Sequence, residues 1–196
     1  MREKTIKSLG EFDLIRKIAG WVPCAKEIIR GIGDDAAVFR VSGNRHTLLT
    51  IDTIVEDVDF RRAKARPEQV GWKALAINLS DIAAMGGSPK LAVVSLTLPS
   101  RIPVRFVEGF YKGVRKLARR FQISIVGGDL SRGPKVVSTI AVLGEAQRRY
   151  TVFRDGARSG DLVCVTGRLG GSILGKHLNI IPRLKEGQWI ARYGAS

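Results

Sequence analysis

Five aspartates stand at the ends of apolar runs: Asp34 and Asp35 in GIGDDAAVF, Asp52 in LLTID, Asp81 in NLSD and Asp129 in VGGD. Glu56, Asp57 and Asp59 follow Asp52 closely. Side chains at strand and helix ends come from separate segments yet can converge on one cleft. Carboxylates that converge with no cation between them raise each other's pKa and cost stability. Magnesium removes that cost, because it takes oxygen ligands, keeps water and grips phosphates. Taken singly, an aspartate before an apolar strand is a turn or cap residue. Asp81 resists that reading. It lies three residues from Asn78 on a helix apolar enough to be buried, where both polar side chains need partners. In VGGD the glycines let backbone N–H groups approach a phosphate closely.

The elements that position these residues can be read from periodicity. Residues 11–20 place Phe12, Ile15 and Ala19 at helical spacing, with Gly20 as the stop. GIGDDAAVF reads as a turn running into a strand, and residues 46–55 as a β-rich apolar strand. Pro67 opens a helix that keeps spacings of three and four through Ala84. A strand over 91–99 precedes Pro103, which starts a helix with Val107, Phe110, Val114, Leu117 and Phe121 on one stripe. ISIVGGD reads as a buried strand ending in a glycine turn, and residues 136–146 as another strand. Strands mixed with well-formed helices predict an α/β (α+β) domain. Near residue 148 the chain turns polar, and DLVCVTG reads as a new strand. Residues 1–148 are therefore expected to form one domain and 149–196 the beginning of a second.

A chain of 196 residues with 33 Lys and Arg against 18 Asp and Glu carries a formal net charge of +15. The basic residues are spread along the chain without an RNA-binding aromatic signature or zinc-finger spacing. A solvated basic surface that favours anionic small molecules is expected, and nucleic-acid binding is not. No segment approaches the roughly 18 consecutive apolar residues of a membrane span, and the N-terminus lacks an apolar signal core. Cys24 and Cys164 read as reduced residues of a cytoplasmic protein. Gly170, Gly175 and Lys176 fit G-x-x-x-x-G-K, but His177 occupies the place of the magnesium-binding Ser or Thr. Pro182 also cuts short the helix that would face the phosphates. A glycine-rich strand-to-helix turn is expected there rather than a P-loop.

Taken in order, GEFDLIRKI, GIGDDAAVF, TIDTIVEDVDF, KALAINLSDIAAMGG, FYKGV, VGGDLSRG, FRDGARSGD and VTGRLGGS resemble the thiamine-monophosphate kinase family. That family lies within the aminoimidazole-ribonucleotide-synthetase-like (PurM-like) superfamily. The resemblance covers essentially the whole chain. It implies a PurM-like N-terminal domain with a mixed sheet packed by helices, and ATP- and Mg2+-dependent phosphorylation of thiamine monophosphate to thiamine diphosphate. By motif position Asp35, Thr50, Asp52, Asp81 and Asp129 resemble the metal-binding set, with Ile51 contributing its main-chain oxygen. Tyr111, Gly128 and Arg154 resemble ATP contacts. The resemblance also implies a homodimer paired through N-terminal domains.

Two departures from the pattern bear on the substrate. Asp59 occupies the position at which the family has a histidine, in a GVHF-like segment, that contacts substrate. The chain also ends at Ser196, before the family's later Ser-Asp-Gly-Leu segment. Two alternatives to the kinase therefore stay open. One is another ATP-using enzyme of the superfamily. The other is a truncated, non-catalytic module that binds nucleotide or dimerises.

Overall fold

The computed structural model describes residues 10–22, 25–41 and 43–194, so Cys24 lies outside the described residues and Cys164 is a free, exposed thiol. The expected α/β class is what is observed: among the described residues there are a six-stranded mixed sheet and four α-helices. The elements are α1 (Glu11–Trp21), β1 (Ile28–Arg30), β2 (Ala37–Phe39), β3 (Arg45–Val55), α2 (Pro67–Ala84) and β4 (Ser88–Leu98). After them come α3 (Val104–Phe121), β5 (Ser124–Arg132), β6 (Val137–Gln147) and α4 (Leu184–Tyr193). The sheet order is β1-β2-β3-β6-β4-β5, antiparallel except for the β4–β5 pair.

Alternation along β3 sends His46, Leu48, Thr50, Asp52 and Ile54 to one face of the sheet and Leu49, Ile51 and Thr53 to the other. The first face is covered by α2, whose buried Val70, Ala74, Leu75, Leu79 and Ile82 meet Leu48, Ile54, Val94 and Ile140 in one core. Helix α3 packs alongside α2 through Phe106, Phe110, Val114 and Leu117. The two backbones nearly touch: a Cβ on Gly113 would lie 1.9 Å from the Glu68 carbonyl oxygen. No side chain fits there.

Four expectations are corrected. The segment 123–129 does not form a buried strand ending at its glycines. β5 runs through both glycines to Arg132 along the sheet edge, largely exposed, because among the described residues it pairs only with β4. DLVCVTG forms no strand, since it has no ladder partner among the described residues. Gly20 does not stop α1, which continues to Trp21 and ends where Val22 turns extended. The segment around Lys176 is a short 3-10 turn, Lys176–Asn179, with no strand before it. Leu178 and Leu184 join the same core as the sheet, and a Cβ on Gly187 of α4 would lie 2.2 Å from the Ala83 carbonyl oxygen.

Candidate active site

The GIGDD turn gives its two aspartates different work. Asp34 is turned inward, where its carboxylate accepts the Asp35 N–H (2.9 Å) and the Arg154 N–H (3.3 Å) and faces Arg30 Nε at 3.5 Å. The Arg30 guanidinium also grips Asp155 through two bonds of 2.8 and 2.9 Å and lies 4.6 Å from the centre of the Phe153 ring. Arg30 thus fastens the 153–155 loop onto the turn, and its backbone position presents Arg154. The Arg154 guanidinium bonds the Asp35 carboxylate, which points into the site.

Asp35 faces two further carboxylates carried by the sheet and by α2. Thr50 Oγ1 donates to Asp81 Oδ2 at 2.7 Å. Burial pushes the Asp81 carboxyl up to about 6; the Thr50 bond opposes the shift, while Asp52 and Asp35 add to it and Arg154 again opposes. Asp52 is raised by burial and then by Asp59. Asn78, fully buried three residues before Asp81, donates to the Ala74 carbonyl but leaves its own Oδ1 without a donor.

A set of oxygen donors that ionise reluctantly suits a hard cation, whose charge reverses the penalty. Among the described residues no three His, Cys, Asp or Glu side chains are assembled in metal-holding geometry. Arg154, seated on Asp35, supplies the positive charge here instead. The donor chemistry fits magnesium.

The remaining expected residues stand further off. Asp129 pairs in register with Ser95, which pairs with Thr139 and through it with Thr53, so its side chain lies on the sheet face opposite Thr50 and Asp52. Its carboxylate accepts from Ser131 Oγ at 2.9 Å. Gly128 admits no side chain, since a Cβ would lie 1.9 Å from the Val94 carbonyl oxygen. Ile51 is 64 % exposed on the open sheet face. Tyr111 packs edge-on against Phe110 (5.5 Å), and burial raises its hydroxyl pKa.

The acidic run after β3 separates into distinct roles. Glu56 is buried and accepts the Val136 N–H at 2.9 Å while pairing with Arg62. Asp57 pairs with Lys135 at the surface. Asp59 turns its carboxylate back onto the Val55 N–H (2.8 Å). The Asp59 carbonyl accepts from Lys73 Nζ at 2.7 Å, and the same ammonium lies 3.1 Å from His177 Nδ1. Sequence reasoning missed Arg30, Lys73 and, as a site residue, His177. Lys73 had a signal: it shares the spacing of Val70, Ile77 and Asp81 on a helix that is otherwise apolar there.

Asp81 also sets a pH dependence. Its carboxyl titrates near 6 in the folded chain and near 3.8 when unfolded, so between these values the folded state holds more protons and stability falls as pH rises. Asp81→Asn should therefore raise the Tm of the metal-free chain at pH 7.5 by about 2–5 °C, using about 2–4 °C per kcal/mol for this size. The gain should shrink as pH falls through about 6 and vanish below the unfolded value of 3.8, as scanning calorimetry in chelator at pH 7.5 and below 3.8 would show.

Fold and site define the class: residues 33–146 match the AIR synthase related protein, N-terminal domain, and the chain belongs to that family. Within it, the chain is similar to thiamine-monophosphate kinases. It is 40 % identical to that of Bacillus subtilis over 171 residues, 87 % of this chain and 53 % of that protein. It is 40 % identical to that of Aquifex aeolicus over 178 residues, 91 % of this chain and 55 % of that protein. Among solved structures, AaThiL complexed with AMPPCP and TMP superposes with a TM-score of 0.87 at 35 % identity, covering 97 % of this chain and 65 % of that one. Thiamine monophosphate kinase from Aquifex aeolicus superposes with a TM-score of 0.78 at 34 % identity, covering 96 % and 66 %. The chain spans about half the length of the curated relatives it matches. No helix among the described residues is long and apolar enough to cross a membrane.

Proposed function

We propose that this chain carries the N-terminal part of an ATP-dependent thiamine-monophosphate kinase, with residues 149–196 opening its second domain. The observation that carries the reading is the cluster of Asp35, Thr50, Asp52 and Asp81, in which burial raises the Asp52 and Asp81 carboxyls and the Asp52 and Asp35 charges add to the Asp81 shift. The similarity to thiamine-monophosphate kinases, one of them solved with AMPPCP and TMP, supports the choice of reaction. A phosphate oxygen of thiamine monophosphate bonds to the γ-phosphorus of ATP, the bond to the β-phosphate oxygen breaks, and ADP leaves. Such a transfer needs positioning and charge neutralisation, and no protein nucleophile.

Asp35, Thr50, Asp52 and Asp81, joined by the Ile51 carbonyl, would hold magnesium, which neutralises phosphate oxygens when bound; Asp129, on the opposite sheet face, stands apart from that set. Arg154 leaves Asp35 to meet the nucleotide phosphates with a fixed guanidinium charge. Gly128 brings bare backbone to the nucleotide, and Tyr111 borders it. Asp59 takes part through its carbonyl, which orients Lys73, since its carboxylate is committed to the Val55 N–H. The test is turnover by a chain that continues through the half its relatives add. Thiamine diphosphate formed from thiamine monophosphate, ATP and Mg2+ is the expected product. A folded, complete protein that binds Mg·ATP and forms none overturns the reading.

A second copy of the chain is the partner this reading includes. The open sheet face carries two cross-strand rows, Leu49–Leu143–Leu91 and Ile51–Ala141–Val93, with no helix over them among the described residues. An apolar sheet face of this kind is covered in a stable protein. Val93→Lys should convert a dimer to a monomer in analytical ultracentrifugation. An unchanged sedimentation coefficient would remove this face from the interface.

A further inference from the structure

Lys73 is 9 % exposed, and its ammonium spends two of its three protons on the Asp59 carbonyl and on His177 Nδ1. An imidazole that accepts at Nδ1 from an ammonium carries its own proton on Nε2. Neither that Nε2–H nor the third ammonium proton has a partner among the described residues. Two donors are thus left side by side on groups fixed by tertiary contacts. The Asp59 carboxylate, held on the Val55 N–H, offsets part of the Lys73 charge from nearby but occupies neither donor.

His177 also lines a cleft of about 610 Å³ together with Ser80, Arg168, Ser172, Lys176 and Arg183, and no carboxylate lines it. Lys176 bonds the Arg168 carbonyl (2.6 Å) and Arg183 is paired with Glu186, which leaves the Arg168 guanidinium as a further cationic donor. Ser80 places this cleft next to Asp81 and the acidic cluster. The turn carrying His177 is a 3-10 segment of four residues, so any anion here is held by side chains and not by a helix terminus.

We propose that Lys73 and His177, with Arg168, bind the phosphate monoester of the acceptor substrate. This rests on the kinase reading above and assigns its acceptor end. A dianionic, tetrahedral group matches two or three converging donors, and it must lie beside the carboxylates that the nucleotide and its cation occupy. The substrate phosphate then meets cations from the chain, while the nucleotide phosphates meet the metal site.

The chain has two histidines, and His46 is buried at the start of β3, where its Nδ1 contacts Thr151. Imidazole 1H–15N spectra therefore report His177 with an internal control. Titrating inorganic phosphate at constant ionic strength should shift the His177 signals saturably and leave His46 in place. Thiamine monophosphate should saturate the same shift at concentrations at least ten-fold lower than phosphate, and thiamine should not produce it. Lys73→Met, with an unchanged His46 signal showing that it is folded, should weaken phosphate at least ten-fold. Should that variant unfold, His177→Gln read by calorimetry takes its place, with the same loss expected. Equal, non-saturating movement of both histidines overturns the site. Saturation by phosphate with no gain from thiamine monophosphate overturns the acceptor assignment. Absent turnover in the complete protein overturns the kinase reading and leaves the phosphate titration as an independent result.

Discussion

Asp81→Ala should weaken the proposed magnesium-dependent nucleotide binding at least ~100-fold in calorimetric titration. Changes to groups that merely support a metal ligand already cost about 10–100-fold, and Asp81 is proposed as a ligand itself. The physical basis is the state of the carboxyl. It is half-buried, bonded by Thr50 and surrounded by Asp52 and Asp35, so without a cation it titrates at about 6. A binding cation must displace a proton wherever the pH is near or below that value. Binding at pH 6 should accordingly release part of a proton per site, seen as a dependence of the calorimetric enthalpy on buffer ionisation heat. The alanine chain should show neither the affinity nor the proton. Because Asp81→Asn is expected to stabilise the metal-free chain, lost binding in that variant cannot be put down to unfolding. Nucleotide binding that survives Asp81→Ala with its magnesium dependence intact would remove this residue from the site.

Glu56→Ala has the largest expected effect on stability. Two costs compete. Its partner Arg62 stays partly exposed, so water takes over most of what the ion pair provided. The Val136 N–H is different: it is buried and accepts no substitute for the Glu56 carboxylate. An unsatisfied buried donor costs about 1–3 kcal/mol, and the void adds to it, so we expect a loss of about 2–3 kcal/mol in urea unfolding. Glu56→Gln keeps an acceptor and should cost less than half as much. Equal losses from the two variants would place the energy in the ion pair. This residue lies in an acidic run that reads as site chemistry, yet its work is to join β3 to the strand that follows β5.

Several features were legible because they depend on local spacing. Helix α2 was expected over 67–84 and spans Pro67–Ala84, since Pro67 pre-sets its first turn and apolar residues recur every three or four positions. Strands β3, β4 and β6 were expected within a few residues of their observed bounds for the same reason. The turn at GIGDD was also readable, while the different partners of Asp34 and Asp35 emerged only from the fold. Asn78 and Asp81 were expected to need partners, and Thr50 provides one for Asp81.

Other features depend on which strand lies beside which, and spacing carries no such information. ISIVGGD has the composition of a buried strand, but whether it is covered depends on its place in the sheet, and β5 is an edge. Asp129 follows two glycines at the end of an apolar run, yet the register Ser95–Thr139–Thr53 decides that it faces away from Thr50. The link among Asp59, Lys73 and His177 spans 104 residues between its lysine and its histidine. By itself the sequence determined the elements, the turn and the identity of the carboxylates, because these follow from side-chain type and from spacings of two, three and four. The tertiary structure alone decided which carboxylates share one low-dielectric pocket and which basic groups stand next to them. Electrostatic coupling falls with distance in space, and only folding brings these distant residues together.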